Sequence, residues 1–107
     1  MRREDARKFI RAMLPDDRNR QVIRYTFILD KREKRVIATI TTRNRITGEQ
    51  IRNHEVDAVF PNLVSANGCF ESHERTALKN GMALAYSKES PVTPEDAGMR
   101  ESVWAIK

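Results

Sequence analysis

Residues 72–86, SHERTALKNGMALAY, decide what the second half of this chain is. Leu78, Met82, Ala85 and Tyr86 fall on one side of a helix, with charged and polar residues between them. Ser72 is a suitable cap and Glu74 lies in the first turn, where the helix dipole favours a carboxylate. Gly81 counts against the reading, since a mid-helix glycine costs up to about 1 kcal/mol relative to alanine. The pattern nonetheless predicts a helix that begins at Ser72 and runs past Gly81. The preceding stretch PNLVSANG, residues 61–68, then reads as loop.

Working towards the N-terminus, three runs alternate as strands do. QVIRYTFIL, residues 21–29, puts Ile23, Tyr25, Phe27 and Leu29 on one face and Arg24 and Thr26 on the other. RVIATITTR, residues 35–43, turns Val36, Ala38 and Ile40 inward, and QIRNHEVDAVF, residues 50–60, buries Val56, Ala58 and Phe60. Short turns, DKREK at 30–34 and NRITGE around Gly48, join them into an antiparallel meander. Glu4–Leu14 carries Ala6, Phe9, Ile10, Met13 and Leu14 along one helical stripe and is stopped by Pro15.

These elements predict an α+β fold: a three-stranded antiparallel meander packed on two helices, in α-β-β-β-α order. The domain would span residues 1–90. Residues 91–107, rich in Pro and Gly at their start, would form a C-terminal tail or extra strand packed on it. Ile28 and Ile37 fall on the outer face of the meander and need a cover. The tail, through Val103, Trp104 and Ile106, or a second subunit would supply it.

A chain of 107 residues is of single-domain size. Charged residues make up 33% and hydrophobics 39%, but the apolar residues are periodic, which excludes the disordered class. One cysteine, Cys69, excludes an internal disulfide and fits a reducing compartment. No run approaches the ~20 apolar residues of a membrane span. MRREDARKFIRAML lacks the apolar stretch of a secretory signal, and the expected location is cytoplasmic.

Charge gives the functional clue. The net charge is +5, yet residues 18–52 carry ten basic against three acidic groups, while residues 53–107 are net −3. That asymmetry predicts a polyanionic partner. Arg adds the bidentate geometry that suits phosphate. The candidate nucleic-acid-binding residues are Arg24, Lys31, Arg32, Lys34, Arg35, Arg43, Arg45 and Arg52. The competing reading of so many charges is a solvated surface that keeps strand edges from pairing. Tyr25 and Phe27 are expected inside, so no exposed ring is expected for base stacking.

Enzymatic chemistry finds little support. His54 and His73 each precede a glutamate but lack the second histidine of a zinc-protease helix, since Ala58 and Ala77 stand in those places. Cys69 and His73 lack an orienting third group. The four glycines are scattered, so no phosphate-cradling loop is expected. The expectation is a small non-enzymatic binding domain with no cofactor and no metal, whose basic meander engages nucleic acid (DNA or RNA) or a complex carrying it. The alternative is a protein-binding accessory or inhibitor, with a homodimer as one form of it, acting through Ile28, Ile37 and Trp104.

Overall fold

The chain leaves the helix at Lys79 and is a strand by Met82. The computed structural model describes residues 19–107. They form β1 (Arg20–Asp30), β2 (Arg35–Asn44), β3 (Gln50–Val59), α1 (Leu63–Lys79), β4 (Met82–Glu89) and β5 (Met99–Ile106). All five strands belong to one antiparallel sheet in the order β3-β2-β1-β5-β4, crossed on one face by α1. The expected three strands on two helices is therefore corrected: the described residues are mostly β, with a single helix. The helix expected at Glu4–Leu14 lies outside the described residues.

Two misread signals explain the correction. The predicted loop 61–68 holds the first turns of α1, whose cap is Asn62 and not Ser72. The Asn62 carboxamide oxygen accepts the Ser65 amide at 2.8 Å. The buried stripe of α1 is Ala66, Phe70 and Ala77, two alanines around one large residue, so it hardly registers as apolar periodicity. Gly81 is not a mid-helix defect. It follows the C-cap Asn80 in a left-handed conformation, φ +78, and its amide donates to the Leu78 carbonyl at 3.1 Å. Asn-Gly is here a helix stop, and it releases MALAYSKE to pair as β4.

The helix also solves a connection problem. β3 lies at one edge of the sheet and β4 at the other, four strand spacings or roughly 19 Å apart. A helix of 17 residues is about 25 Å long and spans that distance. The chain then returns through Ser90–Gly98 and inserts β5 between β1 and β4, so Trp104 pairs with Tyr25 on one side and Leu84 on the other.

The core lies between α1 and the sheet: Phe27, Leu29, Val36, Ala38, Ala66, Phe70, Ala77, Met82 and Trp104. Phe27 meets Phe70 edge-on at 6.4 Å and stacks with Tyr25 at 5.8 Å and His73 at 5.5 Å. The Trp104 indole N–H donates to Ser102 Oγ at 3.1 Å, which satisfies its one polar atom inside the core.

Candidate nucleic-acid interface

Residues directly paired across antiparallel strands share a face, so the register assigns the face turned away from α1. Read from the Gly48 turn, its first row is Gln50–Arg43–Gln21. The second crosses all five strands as Arg52–Thr41–Arg24–Ala105–Ala83. Next come His54–Thr39–Thr26–Val103–Tyr86 and then Asp57–Ile37–Ile28–Glu101–Lys88. Successive rows are two residues, or roughly 7 Å, apart.

The register slips at three places near the middle of this face: between Val22 and Arg24 in β1, between Ala38 and Thr39 where β2 pairs β3, and between Leu84 and Tyr86 in β4. Each bulge bends its strand and tightens the local twist. The result is a shared concavity. A groove of about 550 Å³ is lined by Arg24, Thr26, Thr41, Gln50, Ile51, Arg52, Ala85, Glu101, Val103 and Ala105, drawn from every strand. Its floor is hydroxyl-bearing: Thr26 and Thr41 line it and are buried, and beside them the buried Thr39 has its Oγ1 3.0 Å from His54 Nδ1.

The eight predicted basic residues separate into two groups. Arg24 and Arg52 flank Thr41 on the groove, two strands apart, which is roughly 10 Å between backbones. Both are exposed, and neither has an ion-pair partner among the described residues. Arg43 lies one row further on the same face, and Arg45 is exposed in the turn beyond it. That turn is built locally: Asn44 Oδ1 accepts the Ile46 and Thr47 amides at 2.8 and 3.0 Å, and Gly48 takes φ +77.

The other four lie at the far end of β1 and β2, and the side chains of three of them are engaged inside the domain. Lys31 Nζ donates to Glu89 Oε1 at 2.8 Å and to the Ser90 carbonyl at 3.0 Å. Arg32 donates to the carbonyls of Thr93 and Asp96 at 2.5 and 3.1 Å. Together they hold the Ser90–Gly98 loop against the β1–β2 turn. Arg35 makes a two-pronged pair with Asp57 at 2.6 and 2.7 Å. Lys34 occupies the left-handed turn position, φ 54, and its carbonyl accepts the Phe60 amide at 2.8 Å. The single basic patch expected from the sequence is thus two clusters, separated by most of a strand.

The titrating groups follow these contacts. The hydrogen bond from Arg35, reinforced by its charge, holds the Asp57 carboxyl below the usual range, and the same pairing raises Arg35. The hydrogen bond and charge of Lys31 do the same to Glu89. Burial pushes the Cys69 thiol up, the opposite of an activated nucleophile. His73 is stacked on Phe27 in the core layer. Among the described residues no three His, Cys, Asp or Glu side chains gather as a metal would require.

Of the residues expected to meet a protein partner, Ile28 and Ile37 pair with each other on the grooved face and are half-buried. Trp104 faces the opposite way and lies in the core, 9% exposed. Sequence reasoning missed Gln50, Thr26, Thr41 and Glu101 as groove residues, and it missed Tyr86, which is 48% exposed and pairs with Val103 of the groove wall. The signal was available at Asn80-Gly81: a helix stop there makes MALAYSKE a strand. Among the described residues no helix is long and apolar enough to cross a membrane.

Set against family models, curated proteins and solved structures, the chain matches none of them.

Proposed function

We propose that the grooved face of the sheet binds nucleic acid as a non-enzymatic module. Arg24, Arg43 and Arg52 contact phosphates, and the threonine-lined floor receives sugar or base. The observation that carries the reading is the Arg24–Thr41–Arg52 row: two exposed guanidiniums on one groove, without a carboxylate partner among the described residues. Arginines that serve only to solvate an edge have no reason to line a concavity with hydroxyls between them. Phosphate is the anion that fits, because guanidinium offers it paired donors and the spacing admits an extended chain of charges. The test is fluorescence-anisotropy titration with short DNA and RNA oligonucleotides at ~50 and ~200 mM salt. Each phosphate contact contributes about one unit to the log–log salt slope. Changing Arg24, Arg43 and Arg52 together to Ala flattens that slope by about three; an unchanged slope refutes the reading.

A protein contact is the second reading, and it moves to the other face. Leu78, Leu84 and Ile106 are 61, 51 and 37% exposed around Trp104. Leu84 pairs with Trp104, Ile106 with Met82 one row away, and Leu78 shares a cleft with Trp104. Association through this patch, including homodimerisation, survives high salt in gel filtration and is lost in Leu84→Lys.

A further inference from the structure

Resting on the reading of the grooved face as a nucleic-acid surface, we infer that its ligand is a single strand whose base stacks on Tyr86. Tyr86 is exposed, at 48% of the whole residue, as a stacking platform must be. Its backbone position ties it to the groove on two sides: Ala85, the preceding bulge residue, lines the groove, and so does Val103, its partner across β5. From Arg24 on β1, Tyr86 is two strands across and one row along, on the order of 12 Å between backbones from the strand spacing and rise. The lengths of two arginine side chains and one tyrosine match the span from a phosphate to the outer edge of its base.

Charge orients the strand in the groove. The guanidiniums of Arg52 and Arg24 stand on β3 and β1, whereas Glu101 stands on β5 at the groove's other side. Phosphates are drawn to the first and not to the second, where Glu101 faces Lys88 across the β5–β4 pair, so the sugar-phosphate chain follows the β3–β1 side. The base, which carries no charge, is directed towards β5 and β4, where Val103, Ala105 and Ala85 present apolar surface and Tyr86 an aromatic ring. A duplex cannot use this arrangement, because both faces of each internal base are already stacked. A single strand offers free π-faces and accepts stacking without sequence preference.

The experiment is anisotropy titration of the 107-residue chain with a labelled oligothymidine and with a duplex of equal length, each at ~50 and ~200 mM salt. Wild type is compared with Tyr86→Ala, Tyr86→Phe and the Arg24→Ala/Arg52→Ala pair. Circular dichroism and thermal melting verify that each variant is folded. The inference expects the single strand to bind at least about tenfold more tightly, roughly a 10- to 100-fold loss in Tyr86→Ala, and near-full retention in Tyr86→Phe. It also expects Tyr86→Ala to leave the salt slope unchanged, since a stacked ring releases no counterions, while the arginine pair flattens it by about two. Equal binding of both forms with an indifferent Tyr86→Ala overturns the single-strand inference and leaves the phosphate reading standing. No binding of either form at ~50 mM overturns both.

Discussion

Arg24 and Arg35 sit on neighbouring strands of one ribbon, and both point to the same face of the sheet. One meets solvent over a groove; the other is clamped by Asp57 in a bidentate pair. The contrast extends to the whole ribbon. At the Gly48 end Arg24, Arg43, Arg45 and Arg52 lack ion-pair partners among the described residues, while at the opposite end Lys31, Arg32 and Arg35 spend their donors on Glu89, Asp57 and loop carbonyls. A cation already satisfied inside the fold adds to the long-range field but has few donors left for a ligand. Residue type makes a positive region; the partner decides whether it is an anchor or a contact surface.

The sharpest way to break this comparison is to exchange the two clusters. Arg24→Ala/Arg43→Ala/Arg52→Ala should lose roughly 50- to 100-fold in oligonucleotide affinity near 0.2 M salt, with little change in the urea unfolding midpoint. The converse should hold at the far end. Gly98, which closes the loop that Lys31 and Arg32 hold, has φ +78, and a Cβ there would lie 2.7 Å from the Val92 side chain. Gly98→Ala should therefore destabilise by about 1–3 kcal/mol in urea unfolding and leave oligonucleotide affinity unchanged.

Arg32→Ala removes two charge-assisted bonds to the Thr93 and Asp96 carbonyls. Its exposure limits the loss to about 1 kcal/mol, again read by urea unfolding. If Arg32→Ala instead weakened nucleic-acid binding as much as Arg24→Ala, the division into anchors and contacts would be wrong. Smaller still is Glu101→Gln, which removes the one carboxylate lining the groove. Oligonucleotide affinity should rise on the order of twofold at ~50 mM salt, and the gain should vanish at high salt.

The smallest expected effect concerns pH. Asp57 and Glu89 titrate below their unfolded-chain values because Arg35 and Lys31 favour the charged forms. A depressed carboxylate stabilises the fold above its unfolded value, and that contribution is lost as pH falls through the lower folded value. The stability difference between wild type and Asp57→Asn, followed by thermal melting, should therefore be present at neutral pH and disappear below the ordinary carboxylate range. Because the pair is exposed it is also screened by salt.

Much of the meander was legible because alternation is a local signal with a strict period of two. Tyr25, Phe27 and Leu29 carry it plainly, and the register then pairs them with Ile40, Ala38 and Val36. The helix was misplaced because its core stripe is Ala66, Phe70 and Ala77, too small to stand out, while Leu78, Met82, Ala85 and Tyr86 imitate helical spacing across the helix stop at Asn80-Gly81. Leu78 is in fact exposed on α1, and the other three lie on β4. Of the candidate site, the arginines were visible and the groove was not. Glu101 and Tyr86 come from β5 and β4, which join the meander only when β5 inserts between β1 and β4.

By itself the sequence determined that three strands would form, where they turn, and that positive charge would collect around them, since these depend on residue periodicity and composition. Which cations stay available was decided by the tertiary structure. Asp57, Glu89 and the Thr93 and Asp96 carbonyls are 22 to 64 residues away from the cations they hold. No local pattern encodes a contact across that distance; only the pairing of strands and the packing of one helix bring the partners within reach.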